Sequence, residues 1–211
     1  MNIDTALDNM IRIAASAPTV AAGMSALLDY CAKEYPGGVW DGLRGLDYDS
    51  DVAALTKWLA NLLESKPTAL SVKGFLFGLF QSEENGTPIY VLYATGLVED
   101  FTPEFEDWTS WTPESDLSEE RYAESQILKT VFSSIQSEPD AILLAEFMLC
   151  LGYACLVVPE LFRNLPPALA LGEAEQRLVV TGFDEGDPIL LGRVTRQGWI
   201  PALTTEQRAA S

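Results

Sequence analysis

Between Glu99 and Glu124 the chain concentrates ten carboxylates: Glu99, Asp100, Glu104, Glu106, Asp107, Glu114, Asp116, Glu119, Glu120 and Glu124. A single base, Arg121, stands among them. Phe101, Phe105, Trp108 and Trp111 are interleaved with these acids. Carboxylates at this density have three chemical uses: holding a divalent cation, passing protons between paired acids, or attracting a positively charged partner. A calcium loop needs Asp and Asn in alternating register, and this stretch does not follow that register. Dense like charge on one loop raises the on-rate of a basic partner by ~10 to 10³, and Trp is among the residue types that dominate interface energies. The spacing therefore nominates Glu104, Glu106, Asp107, Trp108, Trp111, Glu114 and Asp116 as a partner-binding set. The plainer alternative is a solvated acidic loop tethered by inward-pointing Phe and Trp.

Other candidates carry less. Asp184-Glu185-Gly186-Asp187 is a carboxylate group, but it lies between two apolar strand-like runs, where Asp and Gly serve a hairpin turn. The stretch KGFLFG (73–78) lacks the order of a phosphate loop, so Gly74 and Gly78 read as sheet glycines. Glu146 is the odd residue, the single charge in the 18-residue run AILLAEFMLCLGYACLVV from Ala141 to Val158. A buried carboxylate there would have a raised pKa and could act as an acid, alone or paired with Glu124; a rim-facing Glu paired with an Arg is the commoner outcome. Tyr122 and Tyr153 are the remaining groups an enzyme could use.

Composition removes several classes outright. The chain has 211 residues, 31 Asp+Glu, 13 Lys+Arg and no histidine, for a net charge of −18. Without histidine there is no Ser-His-Asp or Cys-His nucleophile and no His-ligated zinc. Cys31, Cys150 and Cys155 are too few for a four-thiolate metal site and read as reduced core residues. No cofactor or metal is expected. A hydrophobic content of 48% with 10% aromatics excludes a disordered acidic tail. No basic cluster exists to meet phosphates, so nucleic acid is not an expected partner. The apolar N-terminal stretch fails as a signal peptide, since Asp4 and Asp8 precede it and Pro18 breaks it. The run at 141–158 just reaches the length of a membrane span, but its flanks carry Glu138, Asp140 and Glu160 instead of Lys or Arg, so a buried helix and a cytoplasmic location are expected.

The elements that must position these residues follow from pattern. An N-terminal helix is reset at Pro18-Thr19, and Thr19 caps a second helix to about Lys33. Ser50 is the expected cap of a helix over 51–65, with Val52, Leu55, Leu59, Leu62 and Leu63 on one face. SVKGFLFGLFQ and PIYVLYATG, separated by a turn at 83–87, form a hairpin. After a long acidic loop, Ser118 followed by Glu119 and Glu120 predicts a helix start, with Leu128, Val131, Phe132 and Ile135 as its apolar stripe. The apolar helix then runs to about Asn164, and RLVVTGF and PILLGRV make a second hairpin. The order predicts an α+β fold, an antiparallel sheet built from hairpins and packed against several helices. It is a single domain: a helical part to residue 66, sheet and helices over 67–200, and a tail over 201–211.

Several blocks, KGFLFGLF, PIYVLYATG, FEDWTSW, RYAESQIL, LCLGYACLVV and LVVTGFDEGDPILLG, together resemble a family of bacterial cytoplasmic proteins of the immunity type, from toxin–immunity systems. The likeness spans about Lys73 to Gly192. It implies no catalytic residues, and it implies that the acidic Trp-containing loop, here Glu106-Asp107-Trp108, belongs to the pattern. The expected function is that of a non-enzymatic inhibitor docking an acidic, aromatic surface on a cognate basic protein toxin, with neither nucleic acid nor membrane as partner. Two other classes stay open on the sequence: a carboxylate-dependent hydrolase, and a non-catalytic scaffold or adaptor.

Overall fold

A computed structural model describes residues 3–84, 86–98, 119–139, 141–184, 186 and 188–202. Helix α1 (Ile3–Ser16) leads into α2 (Val20–Glu34), whose first turn is closed by the Thr19 hydroxyl accepting from Ala22 N at 3.1 Å. A short α3 (Trp40–Arg44) is pinned by the Trp40 indole donating to Tyr35 O. Helix α4 (Tyr48–Ser65) starts three residues earlier than its sequence suggests. Asp47, not Ser50, is the cap: its carboxylate accepts from both the Ser50 amide (3.1 Å) and the Ser50 hydroxyl (2.7 Å). A carboxylate at the positive end of the helix meets two donors at once, where a serine would meet one.

Strands β1 (Gly74–Glu84) and β2 (Thr87–Leu97) pair along their whole length, from Gly74 opposite Leu97 to Glu84 opposite Thr87. That register leaves two turn residues, of which Gly86 takes the left-handed backbone (φ 79°) that such hairpins require. The second hairpin, β4 (Gln176–Phe183) with β5 (Ile189–Thr195), also forms as expected. It continues into a strand the sequence reading placed mostly outside any element, β6 (Gly198–Pro201), turned back on β5 through Gly198 at φ 116°. With the two-residue β3 (Tyr122–Ala123), the sheet order is β3-β2-β1-β4-β5-β6. The hairpins join through β1 and β4, which run parallel; every other pair is antiparallel.

The predicted helix start at Ser118 is corrected as well. Glu119–Arg121 is a single 3₁₀ turn, Tyr122 and Ala123 pair with Tyr93 and Leu92, and α5 (Gln126–Ile135) begins only after Ser125, whose hydroxyl accepts from Leu128 N. Ser118 itself lies outside the described residues.

Helices cover one face of the sheet, through Phe75, Phe77, Leu79, Leu92, Ala94, Val179 and Val194. The apolar run becomes a continuous rod of α6 (Ile142–Ala145), a π-helical stretch (Glu146–Leu151) and α7 (Gly152–Asn164), followed by a short α8 (Pro167–Leu171). By length and mean hydropathy (2.1) Ile142–Asn164 could cross a bilayer, yet 72% of its apolar window is buried inside the protein. Two glycines let α2 and the rod approach. A side chain at Gly23 would strike Leu156, and one at Gly152 would meet Leu27 Cδ1 at 2.6 Å, so each helix sets a leucine over a glycine of the other.

Candidate binding surface

The seven residues nominated from the sequence, Glu104, Glu106, Asp107, Trp108, Trp111, Glu114 and Asp116, lie outside the described residues. What is described is the ground on either side of them. Val98, at the end of β2, is 39% exposed, and the chain returns at Glu119–Arg121. There the Trp58 indole donates to Glu120 O (2.9 Å), tying the turn to α4, and Lys66 meets the Glu120 carboxylate at 3.6 Å. Between α4 and this turn runs a groove of about 570 Å³ lined by Lys57, Trp58, Asn61, Leu62, Glu120 and Tyr122. The Arg121 guanidinium lies over the rings of Tyr93 (5.4 Å) and Tyr122 (4.8 Å) and donates to the Tyr122 hydroxyl. Tyr93 covers Gly78, where a side chain would collide with its ring, and donates to Asp184 Oδ1 at 2.6 Å. Burial, and then Asp184, push the Tyr93 phenol well above its ordinary pKa. Glu120 and Glu124 are exposed.

Several bases among the described residues pair with the chain's own acids at the surface. Arg44 meets Asp29 (2.7 Å) and Asp41 (3.2 Å), Lys129 meets Glu84 (3.1 Å), Arg163 meets Glu160 (3.0 Å) and Arg196 meets Glu175 (3.1 Å). These exposed pairs contribute little to stability individually, but they remove positive charge from what an approaching molecule meets.

The buried polar groups hold elements together. Asp51, 5% exposed, accepts from the Ser125 hydroxyl (2.7 Å), the Tyr153 hydroxyl (2.6 Å) and the Gln126 amide (2.8 Å), joining α4, α5 and α7. Arg177 is fully buried, and its guanidinium donates to Val72 O (2.6 Å), Ala69 O (3.0 Å), Leu171 O (3.2 Å) and Thr68 O (3.3 Å). Burial lowers its pKa. The Thr68, Ala69 and Val72 carbonyls belong to the loop that walls a recess of about 260 Å³, lined by Leu59, Leu63, Phe75, Ala94 and Val98 among others. Neither role was read from the sequence. Arg177 heads the run RLVVTGF, and period-two alternation does place it on the covered face with Val179.

Of the lesser candidates, Tyr153 belongs to the Asp51 cluster and Tyr122 to the aromatic floor under Arg121. Glu124 and Glu146 share no hydrogen bond or ion pair. Glu124 is exposed just before the N-terminus of α5, whereas Glu146 lies near Tyr90, which packs on Phe132 two turns further along that helix. Asp184 belongs to the second hairpin's turn region; Glu185 and Asp187 lie outside the described residues. The three cysteines are buried and unpaired, and burial pushes the thiols of Cys31 and Cys155 up to about 12. No group of three metal-ligating side chains occurs among the described residues.

Compared with family models, with curated proteins and with solved structures, the chain matches none.

Proposed function

We propose that this protein is an immunity-type inhibitor that binds and neutralises a basic protein toxin through an acidic, aromatic-containing surface. The observation that carries the reading is the distribution of charge: half of the net −18 falls on the 26 residues from Glu99 to Glu124. The described end of that stretch supports it. Glu120 and Glu124 face solvent on an edge anchored by Trp58 and by the Arg121–Tyr93–Tyr122 stack, with Lys66 meeting the Glu120 carboxylate beside it. Toxins that act on nucleic acid or nucleotides have electropositive sites, and an inhibitor can cover such a site by charge complementarity, with Trp108 and Trp111 supplying the buried area.

The test is capture of the partner from source-cell lysate at low and then high salt, using the native chain and a folded variant carrying Glu104→Gln, Glu106→Gln, Asp107→Asn, Trp108→Ala and Trp111→Ala. The captured protein is then expressed alone and with each form. The reading expects a basic protein that is released by salt, is lost in the variant, and arrests growth unless the native chain is co-expressed. A partner retained by the variant, or one that is harmless alone, sinks it.

A further inference from the structure

Glu146 opens the π-helical stretch at the junction of the central helix with the sheet. Its carboxylate is half-buried, and no base, hydroxyl or amide among the described residues bonds to it. Asp51, by contrast, has three donors on its two oxygens. Burial disfavours the charged form of a carboxylate such as Glu146, and no counter-ion among the described residues opposes that. Burial raises the pKa of Glu146 accordingly, and the charge of Glu146 in turn adds to the burial that raises the Tyr90 phenol.

The surroundings are aromatic. Tyr90 of β2 packs on Phe183 of β4 with ring centroids 5.6 Å apart, and Phe183 packs on Phe147, the residue after Glu146, at 5.3 Å. All three rings are half-buried, packed at the margin of the core. Leu143, one turn before Glu146 on the same helical face, is 49% exposed, one of four large hydrophobics so exposed among the described residues. Three segments of sequence thus converge on a partly buried aromatic cluster with the unpaired carboxylate of Glu146 beside Tyr90.

A planar cation complements such a cluster. Guanidinium is weakly hydrated, stacks on aromatic faces and meets a carboxylate with two parallel N–H donors, whereas the compact ammonium of lysine does only part of this. We propose that Glu146, Tyr90, Phe147 and Phe183, flanked by Leu143, form a seat for one arginine side chain of the basic protein partner. The assignment rests on the inhibitor reading and adds to it a defined contact outside residues 99–124.

A probe independent of the partner tests the seat. The full chain is titrated at low salt with N-acetyl-arginine methylamide, its lysine counterpart and the uncharged citrulline counterpart, while the Glu146 side-chain carboxyl carbon and the ring signals of Phe147 and Phe183 are followed by NMR. Saturable shifts with the arginine amide, weaker ones with lysine and none with citrulline are expected, and Glu146→Gln, folded by circular dichroism, should lose them. Shifts that do not saturate, that citrulline reproduces, or that survive in Glu146→Gln overturn the seat. With the captured toxin, Glu146→Gln should weaken binding roughly tenfold, the scale of one guanidinium contact; unchanged affinity overturns the assignment. Binding of the arginine amide with no toxin recovered supports the seat and counts against the inhibitor reading, so the two failures are told apart.

Discussion

Asp51 and Glu146 are two carboxylates within predominantly apolar helices, and their neighbours give them opposite roles. Asp51 accepts from three donors in a junction of α4, α5 and α7. Asp51→Ala strands the Ser125 and Tyr153 hydroxyls and the Gln126 amide, and should cost about 2–5 kcal/mol of unfolding free energy by urea titration. Asp51→Asn, which keeps one acceptor oxygen, should cost less. Glu146 behaves the other way. Its pKa is raised in the folded chain, so the fold binds its proton more tightly than the unfolded chain does, and stability is lost as pH climbs from the ordinary glutamate range through the raised value. Glu146→Gln removes that loss. The variant should be more stable than the native chain at pH 7, and the gap should close as pH falls toward about 4.3. A gap that does not change with pH would mean that Glu146 is compensated in a way its surroundings do not suggest.

At the scale of elements, the contact between α2 and the central rod depends on two glycines under two leucines. Gly152→Val drives a branched side chain into Leu27 and should cost about 1–3 kcal/mol, read as a lowered urea midpoint with an unchanged slope. Gly152→Val with Leu27→Ala should recover part of the loss, because the smaller neighbour makes room. Much of this scale was legible beforehand. The Thr19 cap, both hairpins and the buried central helix follow from local chemistry: a hydroxyl before an apolar helix, Asn-Gly in one turn and Asp-Glu-Gly-Asp in the other between strand-like runs, and an apolar run with a single charge. The helix starts at 48 and 126 differ from those the pattern predicts because a competition between two neighbouring caps decides the first and a long-range strand pairing the second. Asp47 outcompetes Ser50 by taking two of its donors, and residues 122–123 are drawn into strand by pairing with β2, some thirty residues away. Strand β6 was missed because four residues carry too little periodicity to announce themselves. The Glu146 patch was half legible: the lone charge was visible, but Tyr90 and Phe183 reach it only through the sheet.

Across the whole molecule the dominant quantity is charge. With −18 on 211 residues, like-charge repulsion opposes compaction at low ionic strength. Raising NaCl from ~10 mM to ~150 mM shortens the screening length from about 30 Å to about 8 Å. The melting temperature should therefore rise, by roughly 2–4 °C for each kcal/mol relieved. A flat or falling melting temperature would place the excess acids too far apart to repel. The parallel pairing of β1 with β4 gives the same charge a second consequence. Gly74 meets Leu178 about a hundred residues later, so on the ribosome the β1–β2 hairpin emerges long before the strand that covers its inner edge. During that interval GFLFGLF offers an open, apolar edge of the kind that templates aggregation between nascent chains. The acidic residues synthesised directly after the hairpin arrive while that edge is still bare, and like charge at that density opposes the close approach of neighbouring copies.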